Sequence, residues 1–197
     1  MEGRCALETP FAKKRPTLET QQLVLRPFEP GDAPRVQLLV GDRDVAKTTL
    51  VIGHPYELSA AESWIASHQD GFDKGEQVTF AITLRDSREL VGAISLGLKL
   101  EHEYAALGYW IGKPYWNHGY CSESVGAVLR YAFTELRLNR VYAHHFSNNP
   151  ASGRVMQKNG MRHEGHLRQH AKKWGEFLDV EAYGILRSEF LPSAEVG

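Results

Sequence analysis

"LGYWIGKPYWNHGYCSESVGAVLRYAF", residues 107–133, reads as a strand, a glycine turn and a helix in immediate succession. The strand is the end of Glu103–Gly112. The helix covers Ser122 to Arg137, with Val125, Val128, Leu129, Ala132, Phe133 and Leu136 on one face. Between them lies "KPYWNHGYCSES", residues 113–124, flanked by Lys113, Asn117 and His118, with no acidic residue before Glu123. A helix start leaves backbone N–H groups without intrahelical acceptors, and its dipole end is positive. A phosphate or pyrophosphate fits there. Gly119 keeps the backbone uncluttered and tolerates unusual dihedrals, and Ser122 adds a hydroxyl. Most glycine turns of this kind are plain connections. This one lacks the Gly-Lys-Ser/Thr end of a P-loop and is not the dinucleotide G-x-G-x-x-G.

Working outward, "RVYAHHF" (140–146) is a strand. "NPASGRVMQKNG" (149–160) is a short helix with Asn149 as N-cap, Pro150 at its first position and Gly160 past its end. Residues 161–186 look like two strands joined by a basic connection, "RQHAKKWGEF" (168–177). Upstream, Gln22–Phe28, Gln77–Leu84 and Leu90–Leu100 are strands, the last two a hairpin. "EPGDAPRVQLLVGD" (29–42) and "ELSAAESWIASHQDGFDKGE" (57–76) are helices, the second opened by a Ser59/Glu62 capping box. The expectation is an α+β domain over 18–190, about seven strands in a mixed sheet with about four helices packed against it, between tails at 1–17 and 191–197.

The chain of 197 residues carries 23 basic and 24 acidic side chains, a balance that argues against nucleic-acid or membrane-surface binding. No apolar run approaches the ~20 residues of a transmembrane helix, and the charged start does not resemble a signal peptide. Cys5 and Cys121 form no metal spacing and no disulfide framework, so a reduced, cytoplasmic, metal-free protein is expected.

The residues 107–133 and "LNRVYAHHFSNNPASGRVMQKNGMRHEG" (138–165) together resemble the GNAT superfamily of acyl-CoA-dependent N-acetyltransferases, nearest its ribosomal-protein (RimJ/RimL-like) branch. The likeness extends over about Leu23 to Leu186. It implies the GNAT fold, acetyl-CoA as co-substrate and direct transfer of acetyl to a primary amine, either a protein N-terminal α-amine or a small molecule. It also implies a coenzyme site. Trp110, Ile111 and Gly112 would lie beside the pantetheine arm, and the turn Asn117, His118, Gly119, Tyr120, Cys121 and Ser122 would hold the diphosphate. Asn149 would bond the pantetheine amide region, and Arg154 and Lys158 would reach phosphates. Two positions depart from the family pattern: Trp116 stands where Arg or Gln is usual, and Cys121 where Gly or Ala is usual. Cys121 is read as a small residue and not as a nucleophile.

Direct aminolysis of a thioester needs a base for the incoming ammonium and a donor for the departing thiolate. The Tyr that many relatives use as donor is Met156 here, and the branch implies Ser152 in its place. The Glu some relatives carry falls at Ala106. Glu103 and His145 are the remaining candidates for the base, with His102 and His144 beside them and a water chain as the alternative. The basic, aromatic stretch with Arg168, His170, Lys172, Lys173 and Trp174 would receive an acidic protein tail or a phosphorylated molecule, or serve as a solvated connection or dimer contact. Dimers being common in the branch, a homodimer is the hypothesis for assembly. The rivals are an acyl-CoA-binding module with little or no catalysis, motivated by Met156 and Ala106, and a nucleotide-binding regulator.

Overall fold

The computed structural model describes residues 14–190. The expected tails therefore fall mostly outside the described residues, as does Cys5. Arg15 already donates to the Phe28 carbonyl at 3.4 Å.

The strands are β1 (Leu18–Glu19), β2 (Leu23–Arg26), β3 (Gln77–Leu84), β4 (Leu90–Lys99), β5 (Tyr104–Ile111), β6 (Arg140–Phe146), β7 (Arg162–Lys173) and β8 (Glu176–Leu186). The helices are α1 (Ala33–Val40), α2 (Arg43–Ala46), α3 (Leu58–Asp73), α4 (Tyr120–Thr134) and α5 (Pro150–Lys158). The strands form one sheet in the order β1-β2-β3-β4-β5-β6-β8-β7. The expected architecture holds, with one more strand and one more helix. Two-residue β1 and four-residue α2 are too short to show a period in sequence.

Every strand pairing is antiparallel except β5 with β6, whose crossover is α4. That parallel pairing spans only Tyr104↔Arg140 to Leu107↔Ala143. Beyond it, Gly108–Ile111 stay paired to β4, and His144–Phe146 to β8, but no longer to each other. The sheet splits open along this seam.

Period-two alternation sorts the two faces. Ala105, Leu107, Tyr109 and Ile111 face α4 and α5, in one core with Val128, Leu129, Val141 and Met156. Trp110 faces the opposite layer, where Val36, Leu39, Ala61 and Ile65 of α1 and α3 cover Ala81 and Ala93.

Three local expectations are corrected. α3 starts at Leu58 with Glu57 in the cap position and no side-chain cap, so the Ser59/Glu62 box does not form, because Ser59 is already inside the helix. α4 runs from Tyr120 to Thr134 and not from Ser122 to Arg137. Its Gly119 cap has φ 83°, and Arg137 ends the turn in the left-handed region at φ 54°. The basic stretch is not a connection. β7 continues through it, with a bulge between Leu167 and Ala171. The hairpin turn is Trp174–Gly175, with φ 49° and 91°, closed by the Lys173↔Glu176 pair.

Candidate active site

The split between β5 and β6 opens into a cavity of about 1720 Å³. One end is walled by the turn before α4 and by α5, the other by the chain between α2 and α3 and the β7–β8 hairpin.

At the first end, the N–H groups of Asn117, His118, Gly119, Tyr120, Cys121 and Ser122 have no acceptor among the described residues. Asn117 (φ 65°) and Gly119 (φ 83°) are both left-handed, which turns these N–H groups around a concave edge. Arg154 and Lys158 line the same region and join no ion pair among the described residues. Lys113, also near the turn in sequence, is occupied by Asp44 at 2.6 Å.

Along the seam, the Gly112 N–H donates to the Val91 carbonyl at 2.9 Å, which sets the phase of the β4–β5 ladder. Alternation therefore turns the peptide groups of Tyr109 and Ile111 toward the open side. Trp116 Nε1 takes the Ile111 carbonyl at 2.7 Å, which leaves those of Tyr109 free of β6. Trp116 is thus a strut for the strand end.

At the base of the seam, Ser152 in the first turn of α5 has its Oγ 2.8 Å from the Tyr109 hydroxyl, which also lies 3.2 Å from the Ser152 carbonyl. Burial, with Cys121 next to it, holds the Tyr109 phenol well above its ordinary range, although the Ser152 contact pulls the other way. Burial also pushes the Cys121 thiol up to about 12, so it is a neutral thiol at pH 7 despite the helix N-terminus. Asn149 holds the N-cap position of α5, yet its side chain makes no capping bond and lines the cavity. Met156 is only 1% exposed and sits in the core.

His145 packs under α5. A Cβ on Gly153 would lie 2.8 Å from its Nε2, so only glycine admits the ring there. Its Nδ1 lies 2.8 Å from the Phe146 carbonyl, which can only accept, so Nδ1 carries the proton and Nε2 is a bare acceptor. Nε2 has no hydrogen-bond partner among the described residues and is buried. His144 faces the opposite layer, near His170 (ring centroids 6.4 Å), and burial followed by His170 lowers its pKa.

Ser152, His145, Asn117, Gly119, Tyr120, Cys121, Ser122, Asn149, Arg154, Lys158, Trp110 and Ile111 all line this cavity. Three expected residues do not. Glu103 sits in the turn before β5 with φ 52°, its carbonyl taken by the Asn139 and Arg140 N–H groups, whereas β5 reaches the cavity only from Leu107 onward. Gly112 packs on α1, where a Cβ would meet Leu39 Cδ2 at 2.6 Å. His118 stacks on Tyr120 with centroids 5.4 Å apart.

A family model for the acetyltransferase (GNAT) domain matches residues 22–162. The chain belongs to the GNAT acetyltransferase family. Among its relatives is the uncharacterized N-acetyltransferase YoaA of Bacillus subtilis (strain 168), 31% identical over 173 residues that cover 87% of this chain and 97% of that one. Another is the spermidine N(1)-acetyltransferase of Vibrio cholerae, 27% identical over 176 residues, 88% of this chain and 98% of that one. A solved GNAT-family acetyltransferase from Bacillus anthracis superposes with a TM-score of 0.79 at 28% identity, over 88% of this chain and 99% of that one.

This GNAT protein is an acetyl-CoA-dependent N-acetyltransferase, with acetyl-CoA as its co-substrate. Sequence reading missed Tyr109, although the alternation of β5 marks it as facing the same side as Leu107 and Ile111. It also underrated Lys173, which is only 7% exposed.

Proposed function

We propose that the chain moves acetyl from acetyl-CoA to a primary amine by direct attack, with a protein N-terminal α-amine as the leading acceptor type. The observation that carries this reading is the run of unaccepted N–H groups at 117–122 opening on the same cavity as the Ser152–Tyr109 hydroxyl pair. The run would hold the coenzyme diphosphate, with Arg154 and Lys158 adding charge. The free peptide groups of Tyr109 would pair with the pantetheine amides as an added strand does. Asn149 would complete the contact.

The amine must be neutral to attack. His145 Nε2 takes its proton through one water, because His145 lines the cavity and this nitrogen is an acceptor without a hydrogen-bond partner among the described residues. The nitrogen then bonds to the acetyl carbon, the carbon–sulfur bond breaks, and the thiolate departs. With the phenol of Tyr109 donating to Ser152 Oγ, the serine hydroxyl proton is free for the sulfur, and the proton that the acylated nitrogen sheds restores the serine hydroxyl. Tyr109 stays protonated across the neutral range and so keeps this arrangement in place.

A second reading, a coenzyme-binding module without turnover, draws on Met156, which cannot donate a proton and is buried. Melting with acetyl-CoA, CoA and ATP, followed by an amine screen read by mass, separates the readings. A ligand that binds only the native state raises the melting temperature. Shifts with both coenzymes but not ATP, together with acetylated product, support the enzyme. Shifts without product on any amine favour the module. No shift with either coenzyme sinks both. A monomeric mass at micromolar concentration would count against a homodimer.

A further inference from the structure

The acceptor end of the cavity carries two cations that form no ion pair among the described residues. Lys173 ends β7 and is buried, and the hydrogen bonds of its Nζ there go to the carbonyls of Leu50 and Ile52. Arg43 of α2 forms no ion pair either, among the described residues. Both cations lean on one indole: Lys173 Nζ lies 5.0 Å and the Arg43 guanidinium 5.5 Å from the centre of the Trp174 ring. The nearby Asp44 is already spent on Lys113 and Lys47, at 2.6 and 2.5 Å. Glu176, opposite Lys173 in the hairpin, makes no ion pair with it. A desolvated ammonium without a carboxylate is costly unless a ligand supplies the counter-charge.

A second, independent feature points to the same place. Trp174 holds φ 49° in a two-residue turn, a left-handed conformation in which a bulky residue is an outlier. Asn or Gly would suit such a turn better. The strained backbone places the indole beside both cations and against the cavity.

We propose that Lys173, Arg43 and Trp174 form an anion receiver, so that the favoured acceptor is an amine that also carries a carboxylate or phosphate. This rests on the acetyltransferase reading of the cavity. The anion sits between the two cations, and the amine extends toward the seam. Lys173 has three N–H donors and two are used by carbonyls, so one remains for the ligand. A polyamine, cationic at every nitrogen, is repelled from the same spot.

The test uses the full chain with CoA at saturation, so that the coenzyme's own phosphate contacts are filled. Inorganic phosphate and succinate are titrated separately at constant ionic strength, and tryptophan fluorescence is read against Trp174→Phe. A saturable change with either anion in the parent chain supports the receiver. So does its weakening by about tenfold or more in Arg43→Gln and Lys173→Met, the size of a lost charge-assisted contact. Which anion acts tells phosphate from carboxylate. No saturable change with either anion, or a response that Arg43→Gln leaves intact, overturns it. Each variant is first checked for its melting shift with CoA. Loss of that shift in the parent chain would indict the coenzyme site and not the receiver. If Lys173→Met does not fold, Arg43→Gln decides alone.

Discussion

Ser152 and Tyr109 are where the proposed proton donor can be tested. Met156 fills the core, and a hydroxyl that could take the donor role lies one turn earlier on the same helix, 2.8 Å from a phenol of β5. Ser152→Ala is expected to lower kcat by about 10²-fold, within the usual range for losing an acid–base group, with the melting shift by CoA unchanged. Tyr109→Phe, which removes only the support, should cost less; an equal loss would make the phenol the donor itself. His145→Asn should lower kcat by about 10²-fold, with the melting shift by CoA unchanged. If His144→Gln does so instead, the proton leaves on the other face of the sheet. Trp174→Asn separates fold from function at the hairpin. Relieving the left-handed strain gains about 1–2 kcal/mol, and losing the ring's cation contacts costs about 0.5–1 kcal/mol each. The melting temperature should barely move while acceptor KM rises. A drop of many degrees would show that the indole is a packing residue.

At the scale of elements, what could be read in the sequence was what is local. The alternation of Gln77–Leu84, the apolar face of α4 and the Asn149/Pro150/Gly160 punctuation of α5 each lie within one short window, and each sits where it was expected. The bulge in β7 was not readable, because a bulge exists only relative to the partner strand. Arg168, Gln169 and His170 therefore looked like a loop. The seam was equally hidden: nothing within β5 states how far β6 will follow it. For the same reason Glu103 looked close to the chemistry, although it sits in the turn that leads into β5, at the end far from the seam's opening. Gly153 makes the α5–β6 contact testable. Gly153→Ala puts a methyl at 2.8 Å from His145 Nε2 and should cost about 1–3 kcal/mol, with activity falling further than stability. On the outer strands, Glu181 accepts from Ser147, His166 and His163, each at 2.7 Å, which holds it at about 2, while Glu181 raises His166. The lowered carboxylate stabilises above its ordinary value of 4.5, and the raised imidazole stabilises below its ordinary value of 6.5. This contact is therefore strongest between those limits. Hydrogen exchange at Arg162–Leu167, corrected for intrinsic rates, should be slower at about pH 5.5 than at about pH 8.

For the molecule as a whole, the buried His68 imidazole predicts a loss of stability in acid. His68 is 3% exposed, and neither ring nitrogen has a hydrogen-bond partner among the described residues. Burial, then the nearby Arg15 charge, brings its pKa down to about 4 from 6.5. The unfolded chain takes up this proton first, so stability present above 6.5 falls as the pH drops toward 4, by about 3 kcal/mol. Urea denaturation midpoints measured down this range should fall in the parent chain and flatten in His68→Phe. An unchanged slope would assign the acid limit to other groups.

The seam between β5 and β6 also divides the chain in time. During synthesis all of β1 to β5 precedes α4, and each of these strands pairs antiparallel with its neighbour in sequence. That half can assemble as it emerges, with β5 as its raw edge. Joining it to β6 must wait for the α4 crossover, the one long-range parallel pairing in the sheet. The β5 edge that β6 joins at Tyr104–Leu107 runs on into the unpaired Tyr109 groups that the proposed coenzyme contact uses. A nascent chain stalled just after α4 should present that edge unguarded, and it is there that a chaperone or a second nascent copy would find its hold.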